Sequence, residues 1–274
     1  MTDLNRRVLP GFRLSLSYTL LYLGVLVVLP LLACFLKASA LPVEEFWAVV
    51  WSPRTRAAYG LTFGASFLAA AISVLFGVLI AWVLVRYRFP GKRLFDALID
   101  LPFALPTAVA GLVYSSLYVQ NGWIGRLLVP FGIQAAYSRL AIVLVLTFIG
   151  LPFVVRTVQP VLDDLEADVE EAAACLGATR RQTFVRVILP SLLPAVVTGF
   201  ALAFARGLGE YGSVVFVSGN MPFKTEIAPV LIVAALEQFK YREAAAIAVV
   251  LLVASLLMLV LINLLERWSK TDGR

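Results

Sequence analysis

Six stretches of this 274-residue chain each run for about 20 residues with almost no charge, long enough to cross the roughly 30 Å hydrocarbon layer of a bilayer as helices. No water is present there to pair with backbone N–H and C=O groups, so a spanning segment must satisfy them internally. Length and periodicity predict spans at Leu14–Leu36, Tyr59–Val85, Ala97–Val119, Leu140–Val158, Leu189–Val217 and Ala244–Leu265. The expected fold class is an all-α integral membrane protein with six transmembrane helices. Composition agrees: 61% of residues are hydrophobic and 15% charged, against about half and about a quarter in soluble domains.

The first block follows MTDLNRRVLPGFR. It is longer than a signal-peptide core and lacks a small-residue cleavage site close behind it, so a retained span is expected. Pro42 is placed to start a short helix with Phe46, Trp47, Val50 and Trp51 as an interfacial aromatic face. Gly60 and Gly64 form a small-xxx-small pattern, which signals either close helix packing or the ordinary glycine usage of membrane helices. In the third block, Pro102 and Pro106 should kink or delay the helix. NGWIG, from Asn121, reads as a turn.

Lys and Arg distribution sets the orientation. With both termini in the cytoplasm, the inner segments hold fourteen basic residues, among them Arg6, Arg7, Arg86, Arg88, Lys92, Arg93 and Arg267, and the outer segments hold eight. That asymmetry accounts for the net charge of +6 as a topology signal, without a nucleic-acid partner. Histidine is absent, and with it the commonest general base and metal ligand. Cys34 and Cys175 are expected at different depths or sides, as small apolar fillers. The sequence holds no CxxC, HExxH or GxxxxGK[ST] stretch, which argues against a metal site, a cofactor, or an enzyme that hydrolyses nucleotides by itself.

One polar loop separates the fourth and fifth blocks, and it is longer than a helix connection needs. Leu165, Val169, Ala172, Ala173 and Leu176 fall on one helical face, with Asp163, Asp164, Glu166, Asp168, Glu170 and Glu171 around it. Gly177 is placed to end that helix at positive φ. Thr179 is placed to cap a second one carrying Arg180, Arg181 and Arg186, which leads through Leu189 and Pro190 into the membrane. Spacing alone leaves two readings, a docking element for a soluble partner and an amphipathic hairpin packed on the chain's own spans.

The residues Glu171, Ala172, Ala173, Gly177, Leu189 and Pro190 fit the pattern Glu-Ala-Ala, three residues, Gly, nine residues, I-x-L-P, with Val187 where isoleucine is usual. In this the chain resembles the type I, binding-protein-dependent permease subunits of ATP-binding-cassette importers. VRYRFPGKR, DLPFALPTAVAGL, NGWIG and ARGLGEYGSVVFVSGNMPFKTEIAP extend the resemblance over nearly the whole chain, toward the sulfate/molybdate oxyanion branch and its T-type sulfate/thiosulfate permeases. The resemblance implies a permease of the bacterial cytoplasmic membrane that itself does no covalent chemistry. It implies a coupling helix at Glu171–Gly177, within a loop 163–190, that docks on a separate ATPase. It further implies a W-type partner permease, two ATPase subunits and an external binding protein that selects the anion. The expected division is an N-terminal tail, first span and outer loop at 1–56, a permease core at 57–266 with its coupling loop at 159–188, and a cytoplasmic tail at 267–274. A molybdate-type permease and an ion-gradient-driven transporter remain the alternatives.

Arg206 and Glu210 are ionisable residues inside the fifth block, and such residues usually face a cavity or a partner. Four positions apart, they share one helix face. Either they form a self-neutralising pair that fixes packing, or they line the anion path. Thr107 and Ser115 are candidate pore groups, unless they bond back to their own helix carbonyls. Gly207 to Gly212 spells GxGxxG, but the dinucleotide fingerprint requires a preceding strand and a βαβ unit, which the spans leave no room for.

Overall fold

A computed structural model describes residues 12–165 and 167–271, with side chains for all of these except 167 and 265–271. Arg6, Arg7 and Glu166 lie outside the described residues, as do Arg274 and the side chains of Arg267 and Lys270, which are also among the fourteen inner basic residues. Among the described residues the chain is helical, without strands. Five helices among the described residues are long and apolar enough to cross a membrane. These are α1 (Phe12–Ser39), α3 (Pro53–Arg86), α6 (Arg139–Asp163), α8 (Arg180–Leu208) and α10 (Tyr241–Thr271).

Several helices begin for a local reason. Ser52 caps α3 by accepting from the Thr55 N–H, and Ser138 caps α6 by accepting from the Ala141 N–H. Pro42 stands at the N-cap of the short helix α2 (Val43–Val50). There Trp47 and Trp51 are exposed while Val50 turns inward, so the expected aromatic face is split. In α1 and α8 a π turn precedes a proline: Gly24–Val28 before Pro30, and Phe184–Ile188 before Pro190. The wider turn relieves the missing proline N–H without ending the helix. The fifth span is therefore longer at its start than expected.

The core is a three-helix unit of α3, α6 and α8. Ser73 of α3 sits at Gly150 of α6, and Gly77 sits at Val154, so these two helices run parallel. Gly199 of α8 meets Val154 and Thr157, and Ala203 meets Gly150, so α8 runs antiparallel to them. A Cβ on Gly199 would lie 2.5 Å from Thr157 Oγ1 and 2.9 Å from Val154 Cα, so the close approach at this point requires glycine. Of the two readings of Gly60 and Gly64, the structure favours ordinary glycine usage. A Cβ on Gly60 or Gly64 would meet nothing within 4 Å, and both line an open groove of about 420 Å³ with Leu68, Arg139, Val143 and Phe223. α10 joins through Tyr59, which donates to the Ile247 carbonyl. α1 is held at its far end, where Cys34 and Ala38 meet Ala245, Ala246 and Val249; only Ala38 of α1 is buried.

Two expected spans are corrected. The block 97–119 is not one helix. It divides into α4 (Lys92–Ile99), a single turn Leu101–Ala104, and α5 (Thr107–Tyr118). Pro106 pushes Leu105 into an extended conformation (φ −81°, ψ 130°) and breaks the run. At 1.5 Å per residue the 12 residues of α5 extend about 18 Å, short of the hydrocarbon layer. The block 189–217 also divides: α8 stops at Leu208, and a loop leads to the single turn Val214–Val217. Beyond it, α9 (Ala228–Glu237) is a short apolar helix.

Candidate functional site

The polar loop folds as the elbow that its residues predict. Helix α7 (Ala167–Cys175) ends at Gly177, whose φ is +81°. The Ala178 N–H donates to Ala173 and the Gly177 N–H to Ala174, a Schellman closure that satisfies carbonyls at the helix end. Two residues on, Thr179 and Gln182 cap the start of α8 reciprocally: Thr179 Oγ1 accepts from the Gln182 N–H, and Gln182 Oε1 accepts from the Thr179 N–H. An acidic helix, a glycine corner and a basic helix follow within 20 residues.

Glu171, Ala172, Gly177, Leu189 and Pro190 are exposed, and Ala173 is buried. The apolar stripe is thus mostly unused by this chain. Val169 is exposed, and Leu176, beside the corner, is 88% exposed. The elbow lies at the end of the bundle where α3 finishes and α6 gives way to the loop. There Arg86, the last residue of α3, donates to Glu170 Oε1. Arg86 also stands over the Trp82 ring, 5.6 Å from its centroid, and Trp82 meets Phe184 edge-on at 5.7 Å.

At the opposite end of α8, Arg206 and Glu210 meet at 2.6 Å. Glu210 stands past the helix terminus instead of within it: α8 ends at Leu208, and the Glu210 N–H donates to the Gly207 carbonyl. Its carboxylate is 2% exposed and has three donors, Arg206 Nη1 on Oε2 and both the N–H and Oγ of Ser213 on Oε1. A carboxylate at the negative end of a helix is disfavoured by the backbone dipole, and the arginine in the last turn offsets this. The arginine is one-third exposed.

The loop after Glu210 is laid against α5 by close approaches. A Cβ on Gly111 would lie 2.4 Å from the Ser213 carbonyl oxygen, and one on Gly212 would lie 2.2 Å from Thr107 Oγ1. Thr107 is therefore beside the charge pair's loop. Ser115 does not bond to its own helix; it donates to the Phe216 carbonyl at 2.7 Å. Two glycines of GxGxxG serve contact here, Gly207 against Ser66 of α3 and Gly212 against Thr107, whereas a Cβ on Gly209 would meet nothing within 4 Å.

Three polar pairings escape a reading of the sequence. Arg156 of α6 holds Asp96 and Asp100 of the α4 region, each at 2.7 Å, and also Gln159. Arg54, one of the eight outer basic residues, and Arg86, one of the fourteen inner ones, enter the sequence only as orientation charges, yet they hold Glu226 and Glu170. The sign of the charges was the single available signal, and it does not name a partner far along the chain. No group of three or more Cys, Asp or Glu among the described residues could hold a metal ion.

Residues 73–271 match the family described as "Binding-protein-dependent transport system inner membrane component". The chain is 54% identical over 259 residues to the sulfate transport system permease protein CysT of Synechococcus elongatus, covering 94% of this chain and 93% of that one. The protein of that name from Escherichia coli is 50% identical, covering 96% of this chain and 95% of its own length. Among solved structures, a chain of a bacterial alginate ABC transporter in complex with an alginate pentasaccharide-bound periplasmic protein superposes with a TM-score of 0.76 at 17% identity, over 93% of both chains. That likeness is one of fold.

Proposed function

This chain belongs to the family of binding-protein-dependent transport system inner membrane components, and we propose that it is the permease subunit of an ATP-driven importer that carries sulfate or thiosulfate across the bacterial inner membrane. The fold is that of a type I ABC importer permease. It is a transport subunit and not an enzyme; ATP hydrolysis belongs to a separate subunit. The anion assignment is supported by relatives named for sulfate transport at 50% identity and above.

The observation that carries the coupled mechanism is the elbow 164–179. It is a rigidly capped corner whose apolar residue Leu176 has no use within the chain. A docking surface for an ATPase explains that exposure, and an ion-gradient transporter has no need of it. Glu171, Ala172, Ala173 and Gly177 form the docking corner in this reading, with Leu189 and Pro190 joining it to the membrane. The complete importer contains a W-type partner permease, two ATPase subunits and an external sulfate- or thiosulfate-binding protein.

Six crossings with cytoplasmic termini belong to the same reading. Because α3 and α6 run parallel, the chain between them must return from one end of the bundle to the other, and the α4–α5 region supplies that return. The Arg206–Glu210 pair acts as a packing staple. Three donors neutralise and bury the carboxylate, leaving little net charge to hold an anion.

Deleting Glu171–Gly177 is expected to abolish co-purification of the ATPase with the two permeases. Uptake of radiolabelled sulfate by vesicles holding this chain alone, without ATP or partners, would refute the ATP-driven reading.

A further inference from the structure

We propose that Trp82 and Arg86 form a clamp that ties both arms of the elbow to α3, so that a displacement of the elbow moves the α3–α6–α8 core as one body. The proposal rests on the docking reading above. Covalently, the elbow is joined only to α6 and α8. Helix α7 otherwise touches mainly the first turn of α8. Among the described residues, its ion pair to the bundle is Arg86–Glu170.

The geometry serves both arms at once. Trp82 and Arg86 are one helical turn apart and share a face of α3. Arg86 reaches Glu170 in the acidic arm, before the glycine corner. Trp82 lies under the Arg86 guanidinium and meets Phe184 in the basic arm, after the corner. The ring face attracts the guanidinium, and Nη2 reaches Glu170 Oε1 from there. Both partners of the ion pair are partly shielded, at 23% and 32% exposure, so solvent screens it less than a fully exposed pair.

Without the clamp, a pull on the elbow would be absorbed locally and lost before reaching α3. With it, the pull enters all three core helices. α3 makes close contacts with both α6 and α8, so no part of the core is left behind.

The test uses the whole complex, this chain with its partner permease and ATPase subunits, in vesicles. Arg86→Ala, Glu170→Ala and the exchanged pair Arg86→Glu/Glu170→Arg are compared with Leu176→Asp, which spoils the exposed tip of the elbow. Two quantities are read, the ATPase retained on purification and the anion imported per ATP hydrolysed. Leu176→Asp should release the ATPase. Both alanine variants should retain it while import per ATP falls about fivefold, and the exchanged pair should recover at least about half of that loss, as a direct pairwise coupling requires. Unchanged import per ATP in both alanine variants, or no recovery in the exchanged pair, overturns the clamp while docking stands. Retention of the ATPase by Leu176→Asp overturns the docking reading instead.

Discussion

Glu226, buried in the loop before α9, accepts two hydrogen bonds from the guanidinium of Arg54 at the start of α3, 2.8 Å from Nε and 2.6 Å from Nη2. The carboxylate is 4% exposed and the arginine 44%. Removing the arginine leaves a buried charge without its partner, whereas removing both leaves none. Arg54→Ala should therefore destabilise by about 2 kcal/mol, a figure reduced for the arginine's exposure. The double variant Arg54→Ala/Glu226→Gln should be milder. Thermal unfolding of the detergent-solubilised chain measures both.

The same asymmetry governs the Arg206–Glu210 pair at the end of α8. Arg206→Ala and Glu210→Ala should each lower the yield of assembled complex, and the double variant should be less impaired than the worse single. A double variant no better than that single would remove the staple and favour a role for Arg206 on the anion path. Size-exclusion yield and sulfate uptake together separate the two.

Gly199 and Gly60 offer a matched pair. A Cβ at Gly199 collides with Thr157 and the Val154 backbone, and one at Gly60 meets open space. Gly199→Ala should cost about 1–3 kcal/mol through overpacking, whereas Gly60→Ala should fall within about 0.5 kcal/mol of the parent. Melting temperatures of the two variants provide the check.

Arg156 grips two carboxylates with one planar fork. Lysine keeps the charge but cannot span both. Arg156→Lys should loosen α4 and expose Ile99, now 9% exposed. Thiol labelling of an Ile99→Cys variant should then rise roughly tenfold, the effect of about 1.4 kcal/mol on local opening.

At Gly177, φ of +81° is strained for any residue with a Cβ. Gly177→Ala should cost about 1 kcal/mol and weaken ATPase binding about fivefold, and Gly177→Asn should weaken it less. Titrating purified ATPase against the solubilised permease pair reads the order.

Gly177 and Thr179 were legible in the sequence because their roles are local: a positive φ and a cap involve neighbours three or four positions away. The break at Pro106 was legible in kind but not in extent, since a proline restricts the residue before it without fixing where the helix resumes. Glu210 was misplaced by two residues beyond the end of α8, because a run of apolar residues does not record where the backbone turns. Thr62 shows the limit most plainly. It caps α9 from α3 by accepting the Ala228 N–H at 2.8 Å, 166 positions away. Nothing near either residue announces the other.

The amino-acid sequence alone determined that the chain enters the bilayer, where its principal helices run, and which loop is polar. Transfer of backbone and side chains into hydrocarbon is a local cost, summed along the chain. Which faces meet was decided only in three dimensions. Within lipid every apolar face is equally solvated, so burial does not choose partners. Close backbone approach at Gly77, Gly150 and Gly199, and ion pairs such as Arg86–Glu170, make that choice, and they exist only once distant segments are brought together.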